Sequence, residues 1–332
     1  MSKKIEKTWL FGSGYWASIL VSKIQNQFNS PMVLVIDPDQ NSLLTFISKN
    51  SNCYASNFER FQEEAEIGDK CFVATPPSTH FDIVDKALDL GCHVWVEKPL
   101  TVNGQLAHSL IAKAQEKKLT LFIDNTFLFD PLIEKIKLRL QLNSLPYFMH
   151  SQRLGWGKIL KDYGVLWDLL PHDLSIINYI FGNVLSYELI SITFGPKNTG
   201  LDKTAISAAV NFITKNGIKI RVDLSVVNKS KIRQIQIFAN NEILSYEMTS
   251  NGSIVSQEKW GEIPGNINLA YATEDFTEVS VQDNLENALK AFAKLSESRD
   301  LHSSIFTAAR EIEIIEDLYT QSLILGGFKL GI

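Results

Sequence analysis

The chain has 332 residues, 45% of them hydrophobic and 21% charged, with a formal net charge of −5. That length exceeds what one hydrophobic core usually supports and implies two domains, while the acidic balance leaves no basic footprint for nucleic acid. No apolar run is long enough to span a bilayer, and the polar segment Met1 to Lys7 leads straight into Trp9-Leu10-Phe11 without a signal-peptide layout. Cys53, Cys71 and Cys92 show no CxxC spacing, so they read as buried, inert thiols rather than a disulfide framework or a metal site. A reducing, cytoplasmic setting is expected.

Thr8 to Phe11 is a short apolar strand followed at once by Gly12-Ser13-Gly14-Tyr15-Trp16-Ala17, and an amphipathic helix opens at Ala17. In this GxGxxA turn Gly12 makes the tight bend, Gly14 lets backbone approach a pyrophosphate, and Ala17 allows close helix packing. The helix N-terminus, with Ser13, Tyr15 and Trp16 around it, offers free N–H groups to the phosphates. Met32 to Ile36 is a second strand that ends on Asp37, where a ribose diol would be gripped. The competing reading is that Asp37-Pro38-Asp39 only turns the chain and caps the next helix. No Lys or Arg lies between Pro38 and Ser48 to neutralise a 2′-phosphate, so NAD is expected ahead of NADP.

A further strand, Lys70 to Thr75, leads into Pro76-Pro77-Ser78-Thr79-His80 and a helix from Thr79 to Leu90 that Gly91 ends. Thr75, Pro76 and His80 fall at the carboxyl edge of the sheet, beside a dinucleotide; His80 reads equally well as a solvent-facing residue at a helix start. Val94 to Val96 is a buried strand stopping at Glu97-Lys98-Pro99, and the proline forces Lys98 out of helical conformation. Glu97 and Lys98 are thereby set at the strand end, where ligands bind in open α/β sheets. The helix Gln105 to Lys117 and the strand Leu119 to Ile123, ending on Asp124-Asn125, complete a doubly wound parallel sheet over residues 1–125.

Residues 126–332 change character. A helix runs from Pro131 to about Leu142 and Asn143-Ser144-Leu145-Pro146 breaks it. Strand-like segments then dominate: Tyr147 to Leu154, Leu189 to Phe194, Ala205 to Thr214, Ile218 to Val227, Ile232 to Ala239 and Ile243 to Met248, with Asn216-Gly217 as a type I′ hairpin. Ser250 to Glu274 reads as loop, and helices at Asn284 to Leu295 and Ser303 to Gln321 finish the chain. The pattern predicts an α+β domain on an open, mainly antiparallel sheet.

Between those strands, Val165 to Phe181 reads as one helix carrying Asp168 and His172, four apart and so on one face. A carboxylate there can orient an imidazole and stabilise its protonated form; the plainer alternative is a capping Asp168 and a hydrogen-bonded core His172. Pro171 implies a late start or a kink, and Asp173 is either a site residue or a cap. Arg153, Trp156 and Trp167, with Asn125 from the first half, are candidate substrate contacts, packing being the alternative for the first three.

With the glycine loop, Thr75-Pro76 with His80, Glu97-Lys98-Pro99 and Asp168-x-x-x-His172, the chain resembles the Gfo/Idh/MocA family of oxidoreductases over nearly its whole length. The resemblance implies a Rossmann domain, a C-terminal open sheet with helices on one face, a cis bond before Pro99, and Lys98, Asp168 and His172 at the catalytic centre. It further implies hydride transfer between NAD(P) and a sugar, sugar nucleotide or cyclitol, in a homodimer or homotetramer. The segment Asn125 to Phe129 lacks an arginine often found there in the family. A dinucleotide-binding regulator without catalysis, or a ketosugar or imine reductase, are the alternatives.

Overall fold

Strand order follows from where the apolar runs fall. In the computed structural model, which describes residues 7–28, 32–143, 146–157, 161, 163–239, 242–249, 252–261 and 270–326, the chain divides into two units. They are Met1–Thr126 with Leu285–Ile312, and Phe127–Asn284 with Glu313–Ile332.

The first unit holds six parallel strands, β1 (Thr8–Phe11), β2 (Val33–Ile36), β3 (Cys53–Ser56), β4 (Lys70–Val73), β5 (His93–Val96) and β6 (Leu121–Ile123), in the order β3-β2-β1-β4-β5-β6. Between them run α1 (Tyr15–Phe28), α2 (Gln40–Lys49), α3 (Phe58–Glu64), α4 (His80–Asp89) and α5 (Gly104–Lys117). Every residue of β1, β2 and β5 is buried, as expected for parallel strands covered on both faces. The sequence pattern does not reveal β3: it is an edge strand in which only Cys53 is buried, so Cys53-Tyr54-Ala55-Ser56 carries no apolar run. The order reverses between β1 and β4, the crevice where such sheets bind ligands.

The second unit holds α6 (Pro131–Asn143), β7 (Pro146–Trp156), α7 (Gly164–Asp168), α8 (Leu170–Phe181), β8 (Val184–Phe194), β9 (Ala205–Thr214), β10 (Lys219–Ser225), β11 (Val227–Ala239), β12 (Glu242–Thr249), β13 (Gly252–Gly261) and β14 (Ala270–Ser280). The sheet order is β14-β13-β12-β11-β7-β10-β9-β8, antiparallel except for β7 beside β10. One sheet face alternates into the core through Met149, Val210, Val222, Ile235 and Ile237. The other carries a polar ladder, in which His150 Nε2 and Arg221 Nε lie 2.7 and 2.9 Å from the two oxygens of Asp223.

Three expectations are corrected here. The stretch read as loop holds β13 and the first five residues of β14; β14 is the edge strand and β13 the next, and both are paired through backbone ladders without an apolar run in their sequence. Residues 262–269 of that stretch, like Ser144 and Leu145 of the expected helix break, lie outside the described residues. The Asn216-Gly217 hairpin is not type I′, because Gly217 has φ 80° while Asn216 is not among the positive-φ residues. Its bonds, Gly217 N to Thr214 O and Thr214 N to Ile218 O, describe a three-residue loop with glycine in the left-handed position. The helix expected over Val165 to Phe181 is two: Leu169 ends α7, and Pro171 enters the first turn of α8, where its missing N–H costs nothing.

The chain ends in α9 (Asn284–Ser298) and α10 (Ile305–Leu325). Phe292 of α9 is fully buried in the first unit, its ring 5.5–6.0 Å from those of Phe28, Phe72, Trp95 and Phe122. Thr120 Oγ1 lies 3.0 Å from the carbonyls of Leu295 and Asp300 that follow.

Candidate active site

In the first unit the loop after β1 is bound into the sheet by Gly12 N to Ile36 O, 2.9 Å. Gly12 has φ 99°, and a Cβ there would stand 2.4 Å from Ala74 O, so only glycine fits. A Cβ on Gly14 would meet nothing within 4 Å, which leaves open space against the start of α1. No acidic side chain lies in the first turn of α1, and its N–H groups favour an anion. Ala17 is fully buried, whereas Tyr15 and Trp16 are 76% and 49% exposed, their rings edge to face.

Asp37 Oδ2 accepts from the backbone N–H and the hydroxyl of Ser13, at 2.8 and 2.7 Å, and Oδ1 accepts from Asp39 N. Asp39 caps α2, through Asn41 N, Ser42 N and Ser42 Oγ, and the Asp37 Oδ1 bond turns the chain before it, as the plainer reading expected; the two bonds from Ser13 to Oδ2 come in addition to that turn. A carboxylate has about four lone-pair sites, which leaves acceptor capacity for a sugar hydroxyl. Open space at Gly14, unneutralised helix N–H groups and this carboxylate fit a dinucleotide.

At the carboxyl end of β5 the Lys98–Pro99 bond is cis. His80 is fully buried and not solvent-facing: Nδ1 lies 2.8 Å from Pro99 O and Nε2 2.9 Å from Thr75 O, so the ring ties the Thr75-Pro76 loop to the proline after Lys98. Burial pulls its pKa down, and the two carbonyls partly oppose this. Thr75 Oγ1 also accepts from Thr79 Oγ1 at 2.8 Å. Glu97 and Asp124 are buried at the ends of neighbouring strands, with their carboxyl groups in hydrogen-bonding reach of each other. Burial pushes Glu97 up to about 7 against the attraction of Lys98; burial and then Glu97 push Asp124 well above the carboxylate range. The role of Asp124 was missed in the sequence, yet a signal was there: two parallel strands that each end on an acid.

Asn125 follows, also buried. Among the described residues no group of three or more His, Cys, Asp or Glu side chains is placed to hold a metal ion. Burial raises the Cys53 and Cys92 thiols to about 11 and about 12, so both stay protonated.

In the second unit Asp168 is the last residue of α7 and His172 lies in the first turn of α8. They therefore do not share one helix face, and the argument from i,i+4 spacing is corrected. The His172 ring meets Phe127 edge-on, centroids 4.7 Å apart. The Arg153 guanidinium also lies over the Phe127 ring, 4.4 Å from its centroid. Asp173, fully buried, is no helix cap: it takes Arg153 Nε at 2.7 Å and Ser151 Oγ at 2.6 Å. Burial raises its pKa against the pull of Arg153 and Ser151.

Arg233, which the sequence pattern did not single out, stands directly across the β11–β7 ladder from Arg153. Desolvation and then Arg153 lower its pKa, and Asp168 opposes them. Trp167 is buried with its ring 6.5 Å from that of Tyr319, and Trp156 is 79% exposed at the end of β7. Packing suits the first of these better than ligand contact.

Residues 7–125 match the sequence model described as "Oxidoreductase family, NAD-binding Rossmann fold". The UDP-N-acetylglucosamine 3-dehydrogenase of Acidithiobacillus ferrooxidans is 28% identical over 206 residues, 60% of this chain and 62% of that protein. The scyllo-inositol 2-dehydrogenase (NAD(+)) of Bacillus subtilis is 27% identical over 121 residues, 34% of this chain and 35% of that protein. Both alignments span less than two thirds of the relative's length. In three dimensions the structure of the Acidithiobacillus enzyme matches with a TM-score of 0.77 at 21% identity, over 95% of this chain and 96% of that one. A 3-ketoreductase from Actinomadura kijaniata in complex with TDP-benzene and NADP matches with a TM-score of 0.76 at 14% identity, over 95% and 96%; at such identities the likeness is one of fold. Over residues 7–125, its Rossmann domain, the chain is thus similar to the Gfo/Idh/MocA oxidoreductases.

Proposed function

We propose that the protein moves a hydride reversibly between NAD and a secondary alcohol carbon of a sugar, with nucleotide-linked sugars as the leading substrate class. The observation that carries this reading is the company Lys98 keeps. It lies at the carboxyl end of β5, in the same unit as the Ser13–Asp37 cradle at the ends of β1 and β2. Substrate class is drawn from the relatives, among them a UDP-N-acetylglucosamine 3-dehydrogenase and a scyllo-inositol 2-dehydrogenase.

In this proposal the nicotinamide supplies or accepts the hydride. Lys98 orients the hydroxyl and stabilises the oxygen as charge develops on it. His172 takes the hydroxyl proton in oxidation and returns it in reduction, the general acid–base work for which imidazole is the side chain most often used. Asp168 steadies the imidazolium. Asn125 and Arg153 are proposed to favour the sugar's polar groups. Among the described residues no helix is long and apolar enough to cross a membrane. We place the enzyme in the cytoplasm as a homodimer or homotetramer, with the polar ladder face of the second sheet against a second copy.

The test is a panel of UDP- and TDP-linked sugars, free sugars and cyclitols, each followed for formation or consumption of NADH and NADPH. Turnover should appear with at least one, and His172→Ala should lower kcat by ~100-fold or more while NAD still binds. Tight NAD binding without turnover across the panel would instead favour a dinucleotide-binding regulator.

A further inference from the structure

We propose that Glu97 and Asp124 share a single proton and serve as a positioning pair that sets one negative charge beside Lys98. The register of the sheet brings them together: Val96 pairs with Ile123, and each acid is the next residue on its strand. Both backbones are fixed there, Glu97 N on Val73 O at 2.9 Å and Asp124 N on Val96 O at 2.8 Å. Both side chains are buried. Two ionised carboxylates hold no hydrogen to place between them, so carboxyl groups in hydrogen-bonding reach need one proton for the pair.

The surroundings point the same way. Among the described residues no side-chain or backbone donor reaches Glu97 Oε1 or Asp124 Oδ1, so a second buried charge would have nothing new to compensate it. Besides each other, the charged group that both carboxyls face is Lys98. His80 also feels Lys98, but its ring binds Pro99 O and Thr75 O rather than either acid. One proton on the pair thus leaves one negative charge opposite one lysine. When that proton leaves as pH rises, the pair carries two charges and draws the Lys98 ammonium toward the strand end. The pair acts through Lys98, so its effect on turnover rests on the role proposed above for that lysine; its protonation does not.

Infrared difference spectra of the whole protein taken across pH separate the two. The wild type should show a protonated carboxyl band that persists above about pH 5, where ordinary carboxylates are ionised. Asp124→Asn should remove that band, because its amide N–H supplies the missing hydrogen and leaves Glu97 ionised; Glu97→Gln should do the same from the other side. In turnover, the pH profile of kcat should lose one ionisation in Asp124→Asn, which a merely structural residue would not alter. A wild-type protein without such a band, or a band that survives either amide substitution, overturns the shared proton. A band that behaves as expected alongside kcat profiles that superimpose overturns the positioning role.

Discussion

Asp37 and Ser13 are joined twice, by the backbone N–H and the hydroxyl of Ser13 to one carboxylate oxygen, at 2.8 and 2.7 Å. The acid that closes β2 is thereby fixed to the glycine loop that closes β1. A 2′-phosphate brought near it would be repelled, whereas a diol would be accepted. Asp37→Ser should weaken NAD by about tenfold or more, the worth of a hydrogen bond to a charged group, and weaken NADP less. Titration of both cofactors by fluorescence checks this, and an unchanged NAD to NADP ratio would remove Asp37 from cofactor choice.

The two glycines of the loop should part company when each gains a methyl group. Gly12→Ala places a Cβ 2.4 Å from Ala74 O at φ 99°, so thermal stability should fall by an amount worth about 2 kcal/mol or more. Gly14→Ala meets nothing within 4 Å; its Tm should stay at the wild-type value while NAD affinity drops. Equal Tm losses for both would contradict this division of labour.

The Glu97–Asp124 pair has a signature in stability as well as in spectra. Both groups are shifted upward, Glu97 to about 7, so between about pH 4 and about pH 7 the folded state holds a proton that the unfolded chain has released. Stability from this source is therefore present at the acid end and is lost as pH rises through the folded pKa, by on the order of 2 kcal/mol. Asp124→Asn should flatten that slope in denaturant titrations run across the window.

Arg153 and Asp173 form a buried pair 2.7 Å apart. Removing one partner strands the other's charge, so Asp173→Ala should cost about 3–5 kcal/mol, and Arg153→Met nearly as much. The double replacement should recover much of the loss. Additive losses in that double-mutant cycle would mean the pair is not coupled. If Arg153 also meets substrate, stability would return in the double variant while KM would not.

Much of the first unit could be read directly, because a parallel strand buried on both faces is an uninterrupted apolar run, and β1, β2, β4 and β5 are all of that kind. Strands without an apolar run are where reading failed. The strand at Cys53 presents one buried side chain, and β13 and β14 are mixed polar segments held by their ladders. At the candidate site, the Ser13–Asp37 tie and the buried bridge made by His80 needed three dimensions, since spacing alone allowed Asp37 a cap's role and His80 a solvent-facing one. The Asp168–His172 argument erred for a local reason: a proline three residues beyond the first acid reads as a kink, while in space it begins a second helix. Asp124 went unread because the acids at two strand ends are 27 residues apart in the chain and meet only through the Val96–Ile123 register.

The aromatic cluster around Phe292 has a bearing on synthesis. Trp95 and Phe122 stack 4.6 Å apart on a sheet completed by residue 123, yet the ring that covers them is in α9. As the chain leaves the ribosome, the whole second sheet is made before that cover arrives. The nascent first unit must wait with an apolar face open, so a chaperone that binds aromatic surface should hold a nascent chain stalled before Asn284 and release one extended past Ser298. Truncation at the first point should yield an aggregating product rather than an independent Rossmann domain.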